Sequence, residues 1–227
     1  MKGLFITFEG TEGCGKTTQI NLLAARLQQM GHAVRLLREP GGTPIGEEIR
    51  HTLKQSSQNH DMTPEAELLL MNASRAQLVR QIVRPALTSG EFVLCDRFFD
   101  STIAYQGYGR NLDLHWIRSV IDFAVGPTRP DLTLMLDVPL KVSESRRRSR
   151  LANTVPQRDR FEELDRSFFV RVEEGYRALA VAEPQRICVI DATAGVELVQ
   201  EEIWRAVLSK LEQLGADRAV PSTTSPS

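Results

Sequence analysis

G-T-E-G-C-G-K-T-T, residues Gly10–Thr18, decides how this chain folds. It holds Gly10, four intervening residues, then Gly15, Lys16 and Thr17, the spacing of a phosphate-binding loop. Glycines let the main chain turn tightly and come close to a ligand. The amides of residues 11–16 can then cradle phosphate oxygens at a helix N-terminus. The Lys16 ammonium can bridge two phosphate groups, and the Thr17 hydroxyl can bind Mg²⁺. An apolar run, Leu4–Phe8, leads into the loop, and Gln19–Met30 leaves it with Ile20, Leu23, Ala24 and Leu27 at helical spacing. An accidental glycine-rich turn would not need that strand and helix. Gly10, Thr11, Glu12, Gly13, Cys14, Gly15, Lys16, Thr17 and Thr18 are therefore the expected contacts of a nucleotide triphosphate. Cys14 reads as a reactive thiol near cations or as a small residue packed into the loop, and we take the second.

Outward from the loop, short apolar runs alternate with helical patterns. Strands are expected at Leu4–Phe8, Ala33–Leu37, Phe92–Cys95, Leu132–Leu136 and Ile187–Ile190. Helices are expected at Gln19–Met30, Pro44–Leu53, Thr63 to about Val83, Leu114–Ala124, Lys141–Arg150, Glu162–Ala182 and Val196–Leu211. Lys54–Asp61 reads as loop, and Pro85 as a bend or stop. This alternation predicts an α/β fold in three layers, a five-stranded parallel sheet covered by helices on both faces. Ligands then belong beyond the carboxyl ends of the strands. One domain is expected over 1–214, with an arginine-rich lid at about 146–161 and a disordered Pro/Ser/Thr-rich tail at 215–227.

The chain has 227 residues, with 28 Lys and Arg against 29 Asp and Glu, so no global positive field favours nucleic acid. Three scattered cysteines show no metal-ligand spacing and fit unpaired thiols in a reducing compartment. No apolar stretch approaches the roughly 18 residues of a membrane span. The first apolar run is short and is needed as a strand, which argues against a signal peptide. The expectation is a soluble, cytoplasmic protein without a membrane or nucleic-acid partner.

Charged residues gather at strand ends. Arg38 precedes P-G-G-T, and Arg97 follows Asp96. A guanidinium suits a phosphate monoester, and the acid can hold Mg²⁺ through water. Structural ion pairs are the alternative reading, but three strand ends converge on one crevice. Tyr105 could wall a sugar face and Gln106 could position a base, with capping and packing as the plainer reading. Residues 146–166 carry R-R-R-S-R and R-D-R-F-E-E-L-D-R. This is a solvated helix pair, a lid that closes over phosphates, or an RNA-binding segment. The near-zero net charge and the phosphate loop favour the lid.

Together these motifs resemble the bacterial thymidylate kinases, a branch of the nucleoside monophosphate kinases. The resemblance runs from about Gly3 to Leu211 and rests on F-E-G-T-E-G-C-G-K-T-T, R-E-P-G-G-T, A-S-R-A-Q-L, C-D-R-F, S-T-I-A-Y-Q-G-Y-G-R, R-P-D-L-T-L-M-L-D and D-R-F-E. It implies ATP- and Mg²⁺-dependent phosphorylation of dTMP to dTDP by a homodimer. It places Lys16 on the ATP phosphates, Thr17 and Asp96 at Mg²⁺, and Arg38 and Arg97 on the acceptor phosphate. It sets Glu12 near the acceptor's 3′-hydroxyl, Arg75 on a thymine carbonyl, Ser101 and Gln106 along the base, and Tyr105 against the sugar's 2′ side. No basic residue stands between Glu12 and Gly15, which implies that the lid supplies catalytic charge. Arg150 is the first choice for that role, with Arg148 and Arg160 behind it. The family usually has a phenylalanine four residues before the base arginine. Here the position is Met71, a flexible thioether that constrains the base less, or plain helix core. Two alternatives follow: a relaxed pyrimidine monophosphate kinase that also accepts dUMP, and a regulatory nucleotide-hydrolysing module.

Overall fold

A computed structural model of the chain describes residues 3–152, 159–161 and 163–219, the side chains of 150–152 and 215–219 aside. Strands β1 (Phe5–Glu9), β2 (Val34–Arg38), β3 (Phe92–Asp96), β4 (Leu132–Asp137) and β5 (Ile187–Asp191) form one sheet in the order β2-β3-β1-β4-β5. Every pairing is parallel. The five apolar runs are thus the five strands, and each ends on a charged residue: Glu9, Arg38, Asp96, Asp137 and Asp191. Those ends share one edge of the sheet, and all the strand-end motifs lie there.

Side chains alternate between the two faces of the sheet, as the pleat requires. Phe5, Val93 and Cys95 join one core with Val79, Phe98, Ile117, Phe168 and Val172. Ile6, Phe8, Leu94 and Leu134 join the other, with Ile20, Leu23, Leu27, Ile203 and Val207. The second core is covered by α1 (Lys16–Gln29) and α9 (Val196–Ala219). The first is covered by α3 (Pro64–Leu78), α6 (Leu114–Val125) and α8 (Arg166–Ala182). Shorter helices are α2 (Pro44–Lys54), α4 (Arg84–Thr88) and α5 (Phe99–Thr102), and α7 (Leu140–Ala152) carries the arginine run.

The structure corrects several boundaries. The helix opened by Thr63 does not stop near Val83. It widens into a π-helical segment at Val79–Val83 and continues through α4. The wide turn falls where Pro85 would forfeit a bond to, and crowd, the carbonyl of residue 81. A second π-helical segment, Ile103–Gly109, follows α5 and carries Tyr105 and Gln106. The helix expected from Glu162 begins at Arg166, where the Asp165 carboxylate accepts from Phe168 N at 2.9 Å. α9 runs past Leu211 to Ala219, into the stretch expected to be disordered, because Leu211 and Leu214 extend the apolar stripe of Val199, Ile203 and Val207. Residues 220–227 lie outside those described. Cys14, Cys95 and Cys188 are free thiols. Among the described residues no helix is long and apolar enough to cross a membrane.

Candidate active site

The phosphate loop leaves β1 at Glu9 and enters α1 at Lys16. Gly13 has φ +82, and a Cβ there would sit 2.7 Å from Ser143 O, so the loop can pass under α7 only with glycine. Gly15, at φ +101, caps α1 and lets the amides turn inward. The Lys16 ammonium is curled into the loop, donating to Thr11 O at 2.9 Å and Gly10 O at 3.2 Å. Cys14 is buried with Lys16 Nζ 3.5 Å from its sulfur. The Thr17 hydroxyl donates to Asp96 Oδ2 at 3.1 Å.

A cleft of about 730 Å³ opens over residues 12–19. Arg38, Arg50, Lys54, Asp96, Arg97, Arg146 and Asp159 line its charged side, and Ala192, Ala194, Val196 and Val199 its apolar end. A smaller cavity of about 50 Å³ adjoins it, lined by Pro40, Met71, Arg75, Phe98, Ser101, Thr102, Tyr105, Gln106 and Phe161. Glu12, Glu39, Lys54 and Arg97 line both.

Arg97 is the hinge between them. Its backbone sits at φ +70, rare for a side-chain-bearing residue, and its amide donates to Phe8 O at 2.9 Å. Nη2 pairs with Glu12 Oε1 at 2.8 Å and reaches Tyr105 OH at 3.2 Å. Nη1 donates to Gly10 O at 2.9 Å and to Ser101 Oγ and Tyr176 OH at 3.0 Å. Burial alone would raise the Glu12 carboxyl, but Arg97, then Lys16 and Lys54, hold it well below the usual range. Behind Arg97, the buried Glu9 accepts from Phe98 N at 2.7 Å, Ser101 Oγ at 2.5 Å and Tyr176 OH at 3.1 Å. Burial, with Asp100 adding to it, pushes Glu9 up to about 7 against the opposing pull of Arg97.

Arg38 is half exposed and pairs with Glu47 at 3.0 Å. Arg75 is buried, and the protein itself engages all three of its guanidinium nitrogens. Glu39 accepts from Nε at 2.8 Å and pairs with Nη2 at 2.6 Å. Asn72 Oδ1 (2.9 Å) and Thr102 Oγ1 (3.0 Å) accept from Nη1, and Phe98 O (3.2 Å) from Nη2. Glu39 Oε1 is buried with no partner, and burial raises this carboxyl despite Arg75.

The lid arginines part company. Arg148 is exposed and, among the described residues, lies 4.0 Å from Glu144. Arg160 is buried away from the cleft, paired with Glu67 and donating to Leu53 O at 3.3 Å. The Arg150 side chain lies outside the described residues, as does most of the Leu151–Gln157 stretch. Arg146, not singled out from sequence, lines the cleft and donates to Ala192 O at 3.0 Å.

Sequence reasoning also passed over Glu39, Arg50, Lys54 and Asp159. Lys54, read as loop, is the last residue of α2 and pairs with Asp159 at 2.5 Å. A signal was there: once Thr43-Pro44 opens a helix beside Arg38, Glu47, Arg50 and Lys54 fall on one face of it.

Among the described residues no three acidic, His or Cys side chains gather into a metal site. Thr17 Oγ1 and Asp96 Oδ2, 3.1 Å apart, place two hard oxygens together at the cleft. That suits Mg²⁺, which takes one or two protein ligands and completes its shell with phosphate oxygens and water.

The family described as Thymidylate kinase matches residues 8–203. The chain is similar to the thymidylate kinase of Syntrophotalea carbinolica, 48% identical over 212 residues, covering 93% of this chain and 98% of that one. It is likewise 48% identical over 208 residues to the thymidylate kinase of Deinococcus radiodurans, covering 91% and 97%. Among solved structures, the crystal structure of thymidylate kinase from Ehrlichia chaffeensis superposes with a TM-score of 0.73. It is 32% identical, covering 91% of this chain and 100% of that one.

Proposed function

The chain belongs to the thymidylate kinase family, and from that membership we propose how its residues divide the work. The reaction is the ATP-dependent phosphorylation of dTMP to dTDP. One observation carries the division: two adjoining cavities share Glu12, Glu39, Lys54 and Arg97. A donor held in the larger and an acceptor held in the smaller meet at Arg97.

The donor triphosphate lies on the amides of the phosphate loop, with Lys16 released from Gly10 and Thr11 to bind phosphate oxygens. Its base lies toward Ala192, Ala194 and Val196. Thr17 and Asp96 would hold Mg²⁺, whose charge would offset that of the phosphate oxygens. Arg97 and Arg38 hold the acceptor phosphate, Glu12 its 3′-hydroxyl, and Tyr105 the 2′ side of the sugar. Met71, Arg75, Ser101 and Gln106 surround the base. The acceptor oxygen is already anionic, so no general base is needed. Alignment and charge stabilisation by Lys16, Arg97 and a lid arginine supply the catalysis.

The lid cation that the cleft lining supports best is Arg146, and Arg50 of α2 lines the same cleft. The proposed assembly is a homodimer. Exposed Trp116 and Phe123 on α6, with Leu69 on α3, form the apolar face that supports it. The proposed setting is the cytoplasm, supported by three unpaired thiols.

Coupled ADP release tests the reading with ATP·Mg²⁺ against dTMP, dUMP, dCMP, dGMP and dAMP, beside a no-acceptor control. A strong dTMP preference supports it. Comparable dUMP turnover would make the enzyme a relaxed pyrimidine kinase. Hydrolysis indifferent to acceptor would overturn it.

A further inference from the structure

Glu67, one turn into α3, is fully buried and has no part in the chemistry above. Among the described residues its carboxylate accepts from N–H groups alone. Oε1 accepts from Gln106 Nε2 at 2.7 Å and from Arg110 Nε at 3.2 Å. Oε2 accepts from Arg110 Nη2 at 2.8 Å and from Arg160. Two guanidiniums would suffice for a buried ion pair, so the Gln106 amide is an additional member with its own consequence.

A carboxylate oxygen surrounded by N–H groups acts as an acceptor, so the nitrogen of the Gln106 amide has to face it. Nitrogen and oxygen lie on opposite sides of the planar amide carbon, so Oε1 is turned away from Glu67. Gln106 lines the cavity assigned to the acceptor base, together with Met71, Arg75 and Tyr105. We infer that Glu67 is a positioning residue: it locks the rotation of the Gln106 amide so that a carbonyl oxygen, not an amide nitrogen, is presented to the base. The inference rests on the dTMP kinase reading and adds a specificity device to it.

A fixed acceptor sorts pyrimidines by the protonation of ring N3. Thymine and uracil carry a hydrogen there and donate. Cytosine presents a lone pair, which would face another lone pair and leave both groups unpaired. An amide free to turn over would offer its nitrogen to cytosine and lose that rejection. Glu67 therefore selects against cytosine and is indifferent to the methyl group that separates thymine from uracil.

The test compares wild-type and Glu67→Gln enzymes, with folding followed by circular dichroism and thermal melting and with kcat/KM measured for dTMP, dUMP and dCMP. A glutamine at 67 can donate or accept, which frees the Gln106 amide to turn. The dTMP-to-dCMP ratio is expected to fall by at least about tenfold, while the dTMP-to-dUMP ratio moves by less than about twofold. Equal movement of both ratios, or of neither, overturns the inference. If Glu67→Gln does not fold, the charge-balanced pair Glu67→Gln with Arg110→Gln carries the same measurement under the same criteria. In a Gln106→Leu background, Glu67→Gln should change the dCMP ratio no further, and an added change would overturn the role given to Gln106. A wild-type enzyme inactive on dTMP would sink the kinase reading itself, an outcome distinct from an active enzyme whose ratios do not respond.

Discussion

Arg97 Nη2 stands 2.8 Å from Glu12 Oε1, an ion pair that ties the end of β3 to the phosphate loop. The pair lies where the two cavities join, so the residue proposed to hold the acceptor phosphate also fixes the loop proposed to hold the donor. Its geometry needs a planar fork. One nitrogen serves Glu12 and Tyr105 while the other serves Gly10, Ser101 and Tyr176. A lysine would supply the charge from a single point and could not span these partners. Arg97→Lys is expected to lower kcat/KM for dTMP by about 10²–10³-fold. Arg97→Ala should in addition lower stability by about 2 kcal/mol, because Glu12 loses its nearest cation. Steady-state kinetics and urea unfolding check the two effects separately.

Glu9 gives stability a pH dependence of unusual sign. Its carboxyl is raised to about 7 in the fold by burial and by Asp100. The folded protein therefore binds more protons than the unfolded chain between the ordinary glutamate range and neutrality. Its contribution is fully present below about pH 4.5 and is lost as pH rises through about 7, a change on the order of 3 kcal/mol. Glu9→Gln keeps an oxygen for the Phe98 amide and removes the titration. The slope of unfolding free energy against pH from about 4.5 to 7 should become more positive in the variant. An unaltered slope would show that Glu9 does not titrate there.

Met71 borders the smaller cavity, proposed for the acceptor base, from α3 and is half-buried against the core. A phenylalanine would offer a rigid face in place of a flexible thioether. Met71→Phe is expected to lower KM for dTMP by about three- to tenfold, with kcat within about twofold. A raised KM and a lowered melting temperature would assign Met71 to the core instead.

The strands were legible because each is a short apolar run that stops at a charge, and a doubly covered parallel sheet requires that pattern. The phosphate loop was legible because its glycines are demanded by backbone path. Residues that reach the site through tertiary pairing were not. Lys54 meets Asp159 across more than one hundred positions, and Glu67 collects Gln106, Arg110 and Arg160 from two other segments. Arg160 and Arg146 belong to the same basic stretch, yet one is drawn into a buried pair and the other lines the cleft. Composition cannot tell them apart, because the difference lies in which acceptor each finds, the Glu67 carboxylate for Arg160 and the Ala192 carbonyl for Arg146. The π-helical segments also escaped, since their apolar spacing looks α-helical until the wide turns shift it by one residue.

Trp116 and Phe123 project from α6 into solvent, 66% and 84% exposed, two turns apart on one side of the helix. A monomer gains nothing from burying neither. Phe123→Asp places a charge in the centre of the proposed dimer face without disturbing the core. Light scattering after size exclusion should give a dimer mass for the wild type and a monomer mass for the variant, with the folded far-ultraviolet spectrum kept. A monomeric wild type would leave this face to another partner.

The arginines of α7 give the sharpest separation. Arg146 faces the cleft and is anchored through Ala192 O, beside the apolar end assigned to the donor base. Arg148 is two residues on and points to solvent, 78% exposed. On a helix that offset is about 200°, so the two cannot serve one site without rotation of the whole element. A cation that acts mainly on charge developing in the transition state lowers kcat when removed and leaves acceptor binding nearly intact. Arg146→Ala should therefore reduce kcat by about 10–100-fold with KM for dTMP little changed, and Arg148→Ala should stay within about twofold of wild type. The reverse outcome would mean that α7 turns on closing and that the arginine run, not the position of Arg146, carries the catalytic charge.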